Sequence, residues 1–162
     1  QSVFPRKSFL PMTHAPLSFR PATAADIPAM SVIRLAVKEN TLSNPGRITT
    51  QMYLDHLAGL GRSWVCEQEG RIIGFSSAAQ ADGSIWALFV DPACEGLGAG
   101  KVLLRLATDW LFGLGHARVQ LGTGTDTRAD RFYLAQGWTR GALNEDGGEV
   151  VYTLDRPAAR AS

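Results

Sequence analysis

Residues 84–101 read Ser-Ile-Trp-Ala-Leu-Phe-Val-Asp-Pro-Ala-Cys-Glu-Gly-Leu-Gly-Ala-Gly-Lys. The run Ser84–Val90 is nearly all apolar, which predicts a central strand buried on both faces. Asp91-Pro92 ends it, because proline removes a ladder donor. From Gly98 a helix is expected to about Phe112, with Leu103, Leu106, Ala107, Trp110 and Leu111 on a wide buried face. Gly113 and Gly115 stop it. Between strand and helix lies Glu95–Lys101, with glycines at 96, 98 and 100. Without Cβ atoms a backbone can approach a ligand closely. The free amides at a helix start carry partial positive charge, so a phosphate or pyrophosphate is the natural guest. A tight turn that binds nothing is the competing reading. Two other phosphate motifs are excluded. The Walker pattern needs glycine at Glu95 and Ser or Thr at Val102. The dinucleotide fingerprint needs glycine at Lys101.

Working outward, Leu17 to Arg20 reads as a strand stopped by Pro21. Thr23 and Asp26 form a capping-box variant that opens a helix carrying Ile27, Met30, Ile33 and Val37 at helical spacing. Asn44-Pro45-Gly46 is a turn signal. A second helix is expected from Thr49 or Thr50, ended by Gly59 and Gly61. Ser63 to Gln68 and Arg71 to Ala79 read as strands joined at Glu69-Gly70, and Asp82-Gly83 closes the next hairpin. After the long helix come a strand at Ala117 to Leu121, a Gly/Thr-rich loop, and a short helix at Thr127 to Gln136 terminated by Gly137. Trp138 to Leu143 and Glu149 to Leu154 read as a last hairpin across Asp146-Gly147-Gly148. The order predicts a mixed α/β fold with a mainly antiparallel sheet and one strand–helix–strand crossover.

The 162-residue chain carries 45% apolar and 19% charged residues and a net charge of +1. This is ordinary for a globular protein with one core. No strong field of one sign exists, so no nucleic-acid partner is expected. No apolar run is long enough for a bilayer, so no membrane partner is expected either. Cys66 and Cys94 are too few for a disulfide framework or a metal site, and a cytoplasmic setting is the plain reading. Residues 1–16, broken by Pro5, Pro11 and Pro16, read as a tail in which Met12 is one candidate for the natural start. Residues 17–155 are expected to form a single domain, and 156–162 a second tail.

Val90-Asp91-Pro92 followed by Glu95-Gly96-Leu97-Gly98-Ala99-Gly100 resembles the coenzyme A signature of the GCN5-related N-acetyltransferase (GNAT) family. That signature runs Arg or Gln, two residues, Gly, one residue, then Gly or Ala. Ala129, Phe132-Tyr133 and Gly137-Trp138 resemble a second segment of the same family. The resemblance spans Leu17 to Leu154. It implies a twisted, mainly antiparallel sheet of about seven strands flanked by about four helices, and transfer of an acetyl group from acetyl-CoA directly to an amine, without a metal. The amides of Gly96, Leu97, Gly98, Ala99, Gly100 and Lys101 would hold the pyrophosphate. The main chain of Leu88, Phe89 and Val90 would pair with the pantetheine arm. Tyr133 would serve as general acid to the departing thiolate, with Ala129 beside the cofactor. The sequence departs from the pattern at Glu95, where Arg or Gln is usual, and at Asp126, where an asparagine is usual. A homodimer is a candidate assembly.

The acceptor side is less marked. A lysine-like amine has a pKa of ~10.4, so deprotonating it at neutral pH costs roughly 4–5 kcal/mol. By the resemblance, some relatives carry a glutamate where this chain has Ser84, and others where it has Leu121. Glu39, at the end of the first helix, is the substitute base candidate, and Asp82 a weaker one. His14, His56 and His116 read as structural or surface residues and Cys94 as incidental. Trp86 is a candidate wall of the acceptor pocket. The alternative to an enzyme is a catalytically silent acetyl-CoA-binding sensor or scaffold. The acceptor's identity, small molecule or protein, stays open.

Overall fold

The computed structural model describes residues 15–38, 49–124, 127–143 and 149–157. Seven strands form one sheet: β1 (Leu17–Pro21), β2 (Gly61–Gln68), β3 (Arg71–Ala79), β4 (Ser84–Val90), β5 (Arg118–Gly124), β6 (Thr139–Leu143) and β7 (Glu149–Asp155). Their order across the sheet is β1-β2-β3-β4-β5-β7-β6. All neighbours are antiparallel except β4 and β5, which are parallel. Four α-helices accompany the sheet: α1 (Ile27–Lys38), α2 (Thr50–Asp55), α3 (Ala99–Gly113) and α4 (Thr127–Ala135). This is the mixed fold that the element order predicts, with α3 as the crossover.

Local chemistry explains most boundaries. The Thr23 amide donates to Asp26 Oδ2 at 2.7 Å and closes the capping box ahead of α1. Thr49 caps α2 by accepting from the Met52 amide. Gly137 has φ of +91°, the left-handed terminator expected after α4.

Several boundaries differ from expectation by one residue or more, and three of them have a clear physical reason. Pro21 belongs to β1, opposite Trp64, because β1 is an edge strand and a missing donor there costs no ladder bond. Gly61 does not stop α2, which has ended at Asp55; it opens β2. A β-carbon at Gly61 would stand 1.9 Å from Ala78 O and 2.7 Å from the His56 ring, so its glycine answers a close strand approach. β5 continues past Leu121 through Gly122-Thr123-Gly124, because β7 pairs with every one of these residues.

Each face of the sheet carries a core. On one, α3 and α4 cover Cys66, Ile73, Ile85, Val119 and Tyr152. On the other, Met30 and Ile33 of α1 and Tyr53 of α2 cover Val65, Phe75 and Ala87. Among the described residues no helix is long and apolar enough to cross a membrane.

Candidate active site

The parallel neighbours β4 and β5 share one register pair, Ser84 opposite Gln120, with the Gln120 amide donating to Gly83 O at 3.0 Å. Beyond it they part. The cause lies on the other edge of β4. Ser77 faces Ala87 and Ala78 faces Ile85, so Trp86 is an extra residue on β4. Such a bulge bends and twists its strand. The Asp91 amide donates to Ile73 O at 2.8 Å, which puts Ile73 and Asp91 at a hydrogen-bonding position of the ladder and, two residues on, Phe75 and Phe89 at the next. Main-chain groups alternate along a strand, so Leu88 and Val90 turn theirs away from β3 toward the open seam. Phe89 turns its own toward β3.

The seam leads into the glycine loop. Gly96 and Gly98 hold φ of +87° and +89°, a left-handed conformation that favours glycine. A β-carbon on either would meet nothing within 4 Å, so the space above them is open. Gly98 is the N-cap of α3, and the first bond inside the helix runs from the Val102 amide to Gly98 O at 3.3 Å. The amides of Ala99, Gly100 and Lys101 precede that bond and are the donors a helix start leaves over. The loop thus fits an anionic group on its backbone. Glu95 turns its carboxylate sideways to Arg128 on α4, and the two form an ion pair. Asp91 braces the loop's entry by accepting from the Ala93 amide at 3.0 Å and from Arg71 at 2.6 Å.

The second segment lies against the first. A β-carbon at Gly100 would stand 3.6 Å from Val90 Cγ2 and 3.8 Å from Phe132 Cζ, so the end of β4, the start of α3 and the ring of Phe132 converge there. Tyr133 is buried against Tyr152 and Trp138, with ring centroids 5.1 and 5.9 Å away. Tyr152 donates to Asp130 at 2.6 Å, and Arg140 holds the same carboxylate at 3.1 Å. Burial, and then the neighbouring Tyr152, raise the Tyr133 pKa above its ordinary 10.0, so its hydroxyl keeps its proton at neutral pH. Ala129 is half-buried one turn before it. Glu39 and Asp126 lie outside the described residues.

On the face opposite α3, a cleft of about 340 Å³ opens between the strands. Residues 84–86 of β4, 120–122 of β5, and Glu149 and Val151 of β7 line it. Ser84 and Leu121, which stand where the family resemblance expects a glutamate, are both lining residues, as is Trp86. Trp86 is backed by Tyr53 and His56, with ring centroids at 6.0 and 5.0 Å. Sequence reading did not find Glu149. It follows a glycine-rich turn signal and reads as the exposed end of a strand; only the pairing of β7 beside β5 brings it to the cleft.

The remaining candidates sit elsewhere. His56 Nδ1 lies 2.8 Å from Met52 O, and His116 Nε2 2.7 Å from Gln80 O. Asp82 accepts from the Ser84 hydroxyl at 2.6 Å. Burial, then Cys94 and Glu67, push the Cys66 thiol up to about 11. Cys94 is buried. Among the described residues no group of His, Cys, Asp or Glu could hold a metal.

A family model described as the acetyltransferase (GNAT) family matches residues 31–138. Solved structures share the fold at low sequence identity. A putative acetyltransferase from Salmonella typhimurium, yncA, solved with its cofactor acetyl-CoA, is 20% identical with a TM-score of 0.74, over 91% of this chain and 98% of that one. An N-acetyltransferase from Staphylococcus aureus Mu50 is 16% identical with a TM-score of 0.75, over 87% and 99%. A ribosomal-protein-alanine N-acetyltransferase from Brucella melitensis is 19% identical with a TM-score of 0.72, over 86% and 99%. No curated protein matches the chain by sequence.

Proposed function

The chain belongs to the GNAT family of acetyltransferases, and from that premise we propose that it transfers an acetyl group from acetyl-CoA directly to a primary amine. The observation that carries the reading is the seam: β4 leaves β5 after the Ser84/Gln120 pair, beside a glycine loop with open amides.

Acetyl-CoA supplies the acyl group as a thioester, and the acceptor nitrogen replaces the sulfur. Leu88 and Val90 offer an extended edge on which a pantetheine arm adds like a strand. Phe89, whose main chain is engaged by β3, contributes its side chain. The amides from Gly96 to Lys101 hold the pyrophosphate, each such charge-assisted bond contributing roughly 1.5–3 kcal/mol. Arg128 offsets the charge of Glu95, so an acid stands in this loop without repelling the phosphates.

Tyr133 serves the leaving sulfur. An ordinary thiol has a pKa of about 8.5, below that of any tyrosine, so outright proton transfer to a thiolate is uphill by about 2 kcal/mol or more. The hydroxyl therefore stabilises the sulfur by donating a hydrogen bond as negative charge grows there. A thiol-release assay over a panel of amines tests the reading. Tyr133→Phe keeps the ring packing and removes the donor. Turnover should fall by about 10- to 1000-fold with acetyl-CoA affinity little changed. Wild-type turnover in this variant, with chemistry rate-limiting, would remove Tyr133 from the mechanism. Tight acetyl-CoA binding without transfer to any amine would make the chain a sensor instead.

A further inference from the structure

The proposed cofactor edge and Tyr133 belong to different sides of the seam. Leu88, Val90 and the glycine loop are parts of β4 and of the entry to α3. Tyr133 rides on α4, which packs beside β6 and is tied by a side chain to β7. The direction of its hydroxyl therefore depends on what fixes α4 to the strands beyond β5.

A polar cluster performs that fixing. Asp130 precedes Tyr133 by one turn of α4 and lies on the same face of the helix. The Tyr152 hydroxyl of β7 donates to Asp130 Oδ1 at 2.6 Å. Arg140 of β6, the register partner of Tyr152, places its Nε 3.1 Å from the same oxygen. Tyr152 is buried, and its ring centroid lies 5.1 Å from that of Tyr133. One side chain thus touches Tyr133 with its ring and holds the preceding turn with its hydroxyl. Burial, then the bond to Asp130, raise the Tyr152 pKa above its ordinary 10.0, so the hydroxyl stays a donor at neutral pH. Ring packing tolerates a change of direction and a hydrogen bond does not. For packing alone a phenylalanine at 152 would serve, and the Asp130 side chain, 31% exposed, is within reach of water. The bond between them therefore specifies orientation more than stability.

We infer that Tyr152 and Asp130 are positioning residues for the transfer: their hydrogen bond, braced by Arg140, sets the rotation of α4 on β7 and with it the direction of the Tyr133 hydroxyl toward the departing sulfur. The inference rests on the transfer reading above and on the role given there to Tyr133. The chemical step is unchanged. The nitrogen bonds the acetyl carbon, the carbon–sulfur bond breaks with its electron pair going to sulfur, and Tyr133 donates its hydrogen bond there. Tyr152 and Asp130 exchange no proton with the reactants. A displacement of about 1 Å at a reacting group can cost about 100-fold in rate, so their effect falls on turnover and not on cofactor affinity.

The test is a double-mutant cycle on kcat at saturating acetyl-CoA. Probe amines are 2-phenylethylamine, a lysine peptide and a peptide with a free N-terminal alanine, and the one that wild-type protein turns over fastest is used throughout. Tyr152→Phe and Asp130→Ala should each lower kcat by about 5- to 50-fold, with the acetyl-CoA Kd from calorimetry within about twofold of wild type. Asp130→Asn, whose amide oxygen still accepts from Tyr152, should stay within about threefold of the wild-type kcat. In a Tyr133→Phe background no hydroxyl is left to aim, so Tyr152→Phe should then change kcat by less than about twofold. Three results would overturn the inference alone: an unchanged kcat in Tyr152→Phe and Asp130→Ala, a loss from Tyr152→Phe that multiplies in full with that of Tyr133→Phe, or Asp130→Asn no better than Asp130→Ala. Wild-type kcat in Tyr133→Phe, or transfer to none of the probes, would remove the reading beneath it, and the inference with it.

Discussion

Glu95 in the glycine loop and Arg128 on α4 form an ion pair that ties the loop to the helix carrying Tyr133. Both side chains are largely exposed, so the pair adds little to stability. Its effect belongs to charge at the phosphate site. Arg128→Ala, which leaves an acid facing the pyrophosphate, should raise the acetyl-CoA Kd by about 3- to 10-fold, or roughly 0.7–1.4 kcal/mol. Glu95→Gln should lower it, and the double variant should return close to wild type. Titration calorimetry at low and high salt checks this, and the differences should shrink at high salt.

Leu88 and Val90 turn their amides to the seam, and Phe89 turns its amide to β3. In the free protein the first two should exchange with deuterium faster than Phe89. Saturating acetyl-CoA should slow Leu88 and Val90 and leave Phe89 nearly unchanged. Residue-resolved amide exchange reads this directly. Equal protection of all three residues by the ligand would contradict the added-strand arrangement.

The loop's glycines differ in what they tolerate. Gly98 stands at φ of +89° and faces open space, so Gly98→Val adds backbone strain and a side chain where the phosphates approach. Its acetyl-CoA Kd should rise at least tenfold, about 1.4 kcal/mol. Gly100 lies inside α3, and its β-carbon would make ordinary contacts with Val90 and Phe132. Gly100→Ala should keep ligand affinity and stabilise the fold by about 0.5–1 kcal/mol, because alanine loses less freedom in a helix. Denaturant unfolding beside calorimetry separates the two effects.

Asp26 provides a pH signature. Its carboxylate takes two bonds from Arg20, at 2.7 and 2.9 Å, and one from the Thr23 amide. Chiefly through Arg20, its pKa falls below the ordinary 3.8, although burial pulls the other way. A folded value below the unfolded one adds stability that is complete above the unfolded value and lost as pH drops through the folded one. Asp26→Asn should therefore cost about 1–3 kcal/mol at pH 7, and its gap from wild type should close as pH falls below about 4. Urea unfolding at pH 7, 5 and 3 checks the trend.

What the sequence discloses and what it hides follow from the range of the forces involved. β3 and β4 run over the residues their turn signals and apolar runs predict, since Glu69-Gly70 and Asp82-Gly83 act locally. The glycine loop is legible for the same reason. The end of β5 is not, because Gly122-Thr123-Gly124 has weak strand preference and becomes a strand through β7, about thirty residues further on. Gly61 misleads as a helix stop because its constraint comes from Ala78 across the sheet. Glu149 is hidden by the same logic: nothing beside it in sequence marks a cleft, and its setting comes from the pairing of β7 beside β5. The partner of Glu95 is likewise invisible until α4 folds back over the loop.

The single pair joining β4 to β5 also has a mechanical meaning. The sheet is a four-stranded panel and a three-stranded panel with one rung between them, and α3, packed against β2, β3, β4 and β5, is the bracket that holds them. Heat or load should part the panels at the seam before either comes undone. On the proposed reading, acetyl-CoA fastens that same line, and at a hundred times its Kd it would add about 2.7 kcal/mol of cohesion. The lifetime of the folded protein would then follow the supply of its own co-substrate, so scarcity would shorten how long the enzyme survives as well as how fast it works.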